Sequence, residues 1–250
     1  MGVYNSGGAV YLGNGWFITA GHLGTGAGSV SYDGSSYAID GSSWVTLKNP
    51  DTSSVDSRLF QITTPGSLAA SGASIVDSAL SLDDDLTMIG NGRDVSSVST
   101  SGIETKYYEG SVSNMKWGQN TIDSFEADYS GAGYTSDTFQ TILTTGTAQG
   151  LDKDSGGGVF VYDADTDQYQ LAGIMIAALR YSDGSIYARK INGLPELSSW
   201  TKSVDLYQYR DQIIAVVPEP APWMLVAGAL GTFVLVQRLR RPRTSCLEEV

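Results

Sequence analysis

Asp152-Lys153-Asp154-Ser155-Gly156-Gly157-Gly158, which runs directly into the apolar Val159-Phe160-Val161-Tyr162, is the stretch on which the reading of this chain turns. A serine beside an acid and ahead of three glycines, at the mouth of a strand, suits a nucleophile held on a tight backbone turn. Glycine adopts positive φ without steric cost and lets the main chain approach another group closely. Main-chain N–H groups bunched in such a turn form a nest for a developing oxyanion. The same Asp-Ser-Gly-Gly is also ordinary turn chemistry between two strands.

Two stretches further out decide between these readings. Gly15-Trp16-Phe17-Ile18-Thr19-Ala20-Gly21-His22-Leu23 is an apolar strand that ends at the only histidine of the sequence. A lone histidine is commonly a satisfied polar residue, yet a hydrolase with a single general base needs only one. Val55-Asp56-Ser57-Arg58-Leu59-Phe60-Gln61-Ile62 places an aspartate at the opening of a short strand. Its core contacts by pattern are Leu59, Phe60 and Ile62.

Together, Thr19-Ala20-Gly21-His22, Asp56 ahead of an apolar strand, and Asp154-Ser155-Gly156-Gly157 resemble the three signature segments of the trypsin/chymotrypsin-like serine proteases. The order His, Asp, Ser is that family's, not the subtilisin or α/β-hydrolase order. The resemblance covers residues 7–200 and implies an all-β fold of two six-stranded antiparallel β-barrels with a C-terminal helix. It implies an exported serine endopeptidase acting on protein or peptide, with Ser155 as nucleophile, His22 as general base and Asp56 orienting the imidazole. The oxyanion hole would be the backbone N–H groups of Lys153 and Ser155, with Lys153 standing where the family nearly always has glycine. Asp154 would be a structural acid, buried and paired with an ammonium or another cation. Gln149 would floor the primary pocket and Ile176, Ala177 and Ala178 would form a wall, favouring small or medium apolar side chains over Lys or Arg. A catalytically inactive module of the same fold, binding protein or matrix polysaccharide, is the alternative.

The composition agrees with a β-rich chain: 30 glycines in 250 residues and only 17% charged residues. The net charge of −12 disfavours a nucleic-acid partner, since an acidic body is repelled by phosphate backbones. The single cysteine, Cys246, allows no intramolecular disulfide, and Leu23 stands where animal members of the family usually carry a cysteine. One histidine and no Cys/His cluster give no ordinary zinc site, and no Walker-type loop is present. No cofactor is expected.

Alternating or apolar runs at 9–12, 16–20, 29–32, 37–39, 44–47, 58–63 and 86–90 read as strands of the first barrel, separated by Gly-Asn-Gly and Asp-Gly turns. Runs at 104–117, 121–127, 138–143, 158–162, 169–178 and 185–191 read as strands of the second. A helix is expected within 197–216.

Both ends carry further expectations. Met1-Gly2-Val3-Tyr4-Asn5-Ser6 has neither the charge nor the apolar core of a signal peptide. The expectation is that upstream sequence of the first barrel and an export signal precede it. Residues 1–216 are read as the protease domain and 217–250 as a tail. In that tail Val217-Pro218-Glu219-Pro220 precedes an apolar segment, 221–236, and then Arg238-Leu239-Arg240-Arg241-Pro242-Arg243. Sixteen residues at ~1.5 Å rise give about 24 Å, slightly short of a ~30 Å hydrocarbon core. This pattern resembles the PEP-CTERM sorting signal of Gram-negative bacteria. The resemblance implies a short transmembrane anchor with its arginines in the cytoplasm, an exosortase-type processing partner, and a mature protein in the cell envelope or outside the cell.

Overall fold

Turn chemistry sets the local folding of the N-terminal half. Asn5-Ser6, Asn14-Gly15 and Asp33-Gly34 each place two successive residues at positive φ, the backbone of tight two-residue hairpins. Between them lie strands rich in aromatic and β-branched residues. The structure, a computed structural model, describes residues 1–217 apart from 27, 69, 102–103, 145, 181–184 and 190–198.

The first sheet is built from β1 (Gly2–Tyr4), β2 (Gly7–Gly13), β3 (Trp16–Thr19), β4 (Ser29–Tyr32), β5 (Ser35–Ala38), β6 (Val45–Lys48) and β7 (Ser54–Gln61). They lie in the order β5-β4-β1-β2-β3-β7-β6, with antiparallel pairing throughout. The sheet curls. An isolated bridge Ile39↔Ile62 joins the end of β5 to the end of β7, and Asp40 N–H donates to Gln61 O while Thr63 N–H donates to Ala38 O, both at 2.9 Å.

The second half holds β8 (Asp85–Gly90), β9 (Arg93–Ser101), β10 (Glu104–Ser113), β11 (Lys116–Thr121), β12 (Ser124–Gly131), β13 (Tyr134–Ile142), β14 (Gly158–Asp163), β15 (Gln168–Ala178), β16 (Ser185–Arg189) and β17 (Trp200–Asp205). Seven of these form a sheet in the order β11-β8-β14-β15-β17-β13-β12, and the other three form β16-β10-β9. The Asn120 side chain spans from β11 to the end of β13 by donating to Ile142 O at 3.0 Å.

Among the described residues three large apolar clusters organise the interior, beside a small one at Leu143 and Ile186. Tyr4, Phe17, Phe60 and Ile62 fill the first sheet, with Phe17 and Phe60 stacked at 5.4 Å. Leu86, Met88, Phe139, Val159 and Met175 fill the second. The third draws Val10, Ile18, Leu59 and Leu47 from the first sheet against Leu171, Ile174 and Val204 from the second.

Several expectations require correction. The run 86–90 belongs to the second sheet, because β8 pairs with β11 and β14 and its Leu86 and Met88 pack into that sheet's core. The first sheet instead takes up β1, a hairpin partner of β2. The run 104–117 is two strands, β10 and β11, and β9 was not foreseen. β16 pairs with β10 outside the second sheet.

The helix expected within 197–216 is present over the later part of that span, and the earlier part is a strand. Trp200–Asp205 is a strand hydrogen-bonded on both sides, to β13 and β15. A helix, α1 (Arg210–Val216), follows a 3-10 turn at Leu206–Tyr209. It is fastened to the first sheet, since Gln212 accepts from Lys48 N–H at 3.0 Å and donates to Lys48 O at 2.8 Å. Tyr209 OH donates to Asn49 Oδ1 at 2.7 Å and accepts from Asp137 N–H at 3.0 Å. Among the described residues no helix is long and apolar enough to cross a membrane. The segment 221–236, like the whole tail after 217, lies outside the described residues.

Candidate active site

His22 lies three residues past the end of β3, on the 3-10 turn Gly21–Leu23. Asp56 is the third residue of β7, which pairs with β3, so the sheet brings the two side by side. The Asp56 side chain, 5% exposed, holds His22 at two points. Oδ1 accepts from the His22 main-chain N–H at 2.7 Å, and Oδ2 lies 2.8 Å from Nδ1. A carboxylate at Nδ1 is an acceptor, so the proton of the neutral ring sits on Nδ1 and Nε2 is left as the basic nitrogen. Gly21 suits this closeness, because a Cβ there would lie 3.0 Å from Asp56 Oδ1 and 3.1 Å from the Tyr134 ring, and both neighbours would have to give way slightly.

The same pair is supported from the second sheet. Asp56 N–H donates to Ser136 Oγ at 3.0 Å, and Tyr134 OH donates to Gly21 O at 3.2 Å while accepting from Arg58 Nη2 at 2.6 Å. Ser136 and Tyr134 were not singled out by sequence reasoning. Nothing in a hairpin strand 80 residues beyond Asp56 marks it as a neighbour.

Ser155 lies on the turn leading into β14, at the junction of the two sheets. Gly8 N–H donates to Ser155 O and Gly156 N–H to Met175 O, both at 2.8 Å, so the turn is hydrogen-bonded to β2 on one side and β15 on the other. Gly156 has φ +81°, and a Cβ there would strike the Gly8 carbonyl. The glycines that suggested close approach to a substrate thus also serve close approach to the chain's own backbone. A Cβ at Gly7 would lie 2.5 Å from Ser155 O and 2.6 Å from Leu23 Cδ1, so Ser155 and the residue after His22 flank the start of β2. Among the described residues no hydrogen bond joins Ser155 Oγ to His22.

Within 152–157 the N–H groups divide sharply. Those of Asp152, Asp154, Gly156 and Gly157 donate to Glu109 Oε1, Leu151 O, Met175 O and Asp154 O at 2.8–3.1 Å. Among the described residues those of Lys153 and Ser155 donate to nothing. These are the two amides assigned to the oxyanion hole, both adjacent to Asp154. Lys153 has φ +73°, the left-handed conformation natural to glycine, so the lysine occupies the position with a glycine-like backbone.

Asp154 was expected to be paired with a cation. Its carboxylate instead accepts two main-chain N–H bonds, from Gly92 at 2.6 Å and Leu151 at 2.8 Å. Glycines at 90 and 92 are needed, since a Cβ at either would collide with that carboxylate. Burial pushes Asp154 up from 3.8 to about 6, against the lowering effect of the two N–H bonds and of Lys116.

The four expected pocket residues do not gather around one cavity. Gln149 lines a cavity of about 180 Å³ with Leu151, Asp154, Met175 and Trp117, and its Nε2 donates to Trp200 O at 2.6 Å. The Ile176 side chain is buried in the core shared by the sheets. Ala177 and Ala178 pair with Lys202 and Thr201 of β17, after a bulge at Met175. Among the described residues no group of three or more His, Cys, Asp or Glu is placed to hold a metal ion.

No protein-family model and no curated protein matches the chain. Solved structures are similar in fold. The protease Rv3671c of M. tuberculosis in its active form matches at 13% identity over 86% of this chain and 74% of its own, with a TM-score of 0.48. An inactive form of Rv3671c matches at 12% identity over 85% and 82%, with a TM-score of 0.49. The passenger domain of the plasmid encoded toxin, an autotransporter enterotoxin of enteroaggregative Escherichia coli, matches at 13% identity with a TM-score of 0.51. That match takes in 84% of this chain but 22% of the passenger domain, and the likeness is one of fold alone.

Proposed function

We propose that the chain is a serine endopeptidase that cleaves peptide bonds through an acyl-enzyme. The observation that carries this reading is the two-point hold of Asp56 on His22, which leaves Nε2 basic and fixes the ring. Ser155 Oγ attacks the scissile carbonyl carbon as its proton passes to His22 Nε2. The resulting oxyanion is received by the N–H groups of Lys153 and Ser155, which have no acceptor among the described residues, and Asp56 stabilises the imidazolium. His22 then gives the proton to the leaving amine, and a water molecule, deprotonated by His22, hydrolyses the ester to release acid and restore Ser155. In this reading the two curled seven-stranded sheets are the two barrels of a trypsin-like protease, with the site between them.

The test is labelling by a fluorophosphonate. The parent protein should be labelled at Ser155, and Ser155→Ala and His22→Ala should not. A folded parent that stays unlabelled, beside a protease that labels, defeats the reading. The second reading, a binding module without catalysis, is favoured by the absence of a hydrogen bond between Ser155 Oγ and His22 among the described residues. Catalytic hydrogen bonds often tighten only with substrate bound.

The tail after 217 is proposed, on sequence alone, as a PEP-CTERM sorting segment with its membrane span at 221–236, an exosortase-type partner and export to the envelope. Mass spectrometry of the envelope fraction should find a chain ending near Pro218. A full-length chain there would overturn this.

A further inference from the structure

The turn that carries Ser155 is fastened at its first residue by groups outside every motif of the site. The Asp152 carboxylate lies between two guanidiniums, Arg93 Nη2 at 3.0 Å and Arg180 Nη2 at 3.2 Å. Their other nitrogens face Glu109 Oε2, Arg180 Nη1 at 3.0 Å and Arg93 Nη1 at 3.9 Å. Glu109 Oε1 accepts from Asp152 N–H at 2.9 Å. The Glu109 side chain is only 6% exposed. A carboxylate so enclosed is stable only with its charge compensated, which the two guanidiniums and the amide do. It stands at a register shift in β10, where a bulge redirects a side chain.

One further bond gives this network a direction. Arg93 N–H donates to Asp152 O at 2.9 Å. The Asp152 carbonyl and the Lys153 N–H belong to one planar trans peptide unit, so they point opposite ways. Holding the carbonyl toward Arg93 turns the Lys153 N–H the other way, where it meets no acceptor among the described residues. Flipping this peptide would return Lys153 from φ +73° to the negative φ that an L-residue prefers. It would also turn the amide away.

We propose that Arg93, Glu109 and Arg180 are positioning residues which lock the 152–153 peptide against that flip and so keep the Lys153 amide available to the oxyanion. The proposal rests on the serine-protease reading and deepens it. Glycine has no such preference for negative φ, so a lock of this kind is needed because position 153 is a lysine.

The experiment compares the full chain with Glu109→Gln and Arg180→Met, each first shown to be folded by its thermal melt. With a peptide ester substrate, kcat should fall about 10- to 100-fold, part of the ~10²- to 10³-fold expected for losing an oxyanion donor. KM should stay within about twofold. Adding Lys153→Gly to Glu109→Gln should restore kcat at least severalfold, which a merely structural loss would not show. Unchanged kcat in both single variants, or no recovery in the double variant, would overturn the proposal. A parent that a fluorophosphonate fails to label defeats the protease reading instead. The lock is then read from crystal structures of the parent and Glu109→Gln. A flipped peptide with negative φ at residue 153 of the variant supports it, and a retained positive φ overturns it.

Discussion

The carboxylate of Asp154 accepts a hydrogen bond from the main-chain N–H of Gly92 at 2.6 Å, so the residue before the candidate nucleophile is held by backbone from the turn between β8 and β9. Burial raises its folded-state pKa from 3.8 to about 6. The folded state therefore binds the proton more tightly than the unfolded one, and stability falls as pH rises between these values. Relative to Asp154→Asn, the parent should lose about 3 kcal/mol of unfolding free energy between pH 3.8 and pH above 6, most of it by pH 7. Urea titrations of both proteins across that range check this, and parallel curves would refute it.

Asp56→Asn should leave the fold intact and remove most of the activity. An amide can still occupy the site, but its NH₂ facing Nδ1 reverses the tautomer of His22, and a loss of about 10⁴-fold in kcat is the scale of that effect in a Ser-His-Asp site. Steady-state kinetics with an ester substrate, beside a circular dichroism melt, measure the two halves of the expectation.

Lys153→Gly should stabilise the protein by up to about 1 kcal/mol, since a left-handed residue with a Cβ is strained by that order. The greater freedom of glycine in the unfolded chain offsets part of the gain. Denaturant midpoints at equal m-value give the answer, and a loss of stability would show that the lysine side chain holds more than its backbone strain costs.

Gly156→Ala should be poorly tolerated. The new methyl group meets the Gly8 carbonyl and the Thr19 hydroxyl at a φ of +81°, and neither neighbour is free to retreat, because Thr19 Oγ1 donates to Gly8 O at 2.6 Å. A loss of about 2–4 kcal/mol follows from strain and overpacking together. Equilibrium unfolding measures it.

What the sequence disclosed was local chemistry. His22 at the end of an apolar strand, Asp56 in the opening of another and Ser155 ahead of three glycines are each legible within ten residues. Strand identity was legible at 86–90, but its sheet was not, because alternation says that a face is buried and not against what. β17 escaped because Trp200-Thr201-Lys202-Ser203-Val204-Asp205 is polar. Its burial depends on ladders to both neighbours and on Lys202 lying over the rings of Tyr129 and Trp200 beside Glu126. The partners of Asp154 escaped because main-chain N–H groups carry no letter in a sequence. Glu109, Arg93 and Arg180 meet only through folding, since no spacing rule links an edge hairpin to the end of β15.

The apolar cluster that takes side chains from both seven-stranded sheets has a consequence for how the molecule comes apart. Each half has a cluster of its own but shares this one with the other, and the helix that follows the second half's last strand is bound to Lys48 of the first. The two halves should melt in one cooperative step, with calorimetric and van't Hoff enthalpies equal. Halves joined in this way do not part as a hinge, so under the proposed protease reading a substrate would be admitted by side chains and loops moving at the rim of the site.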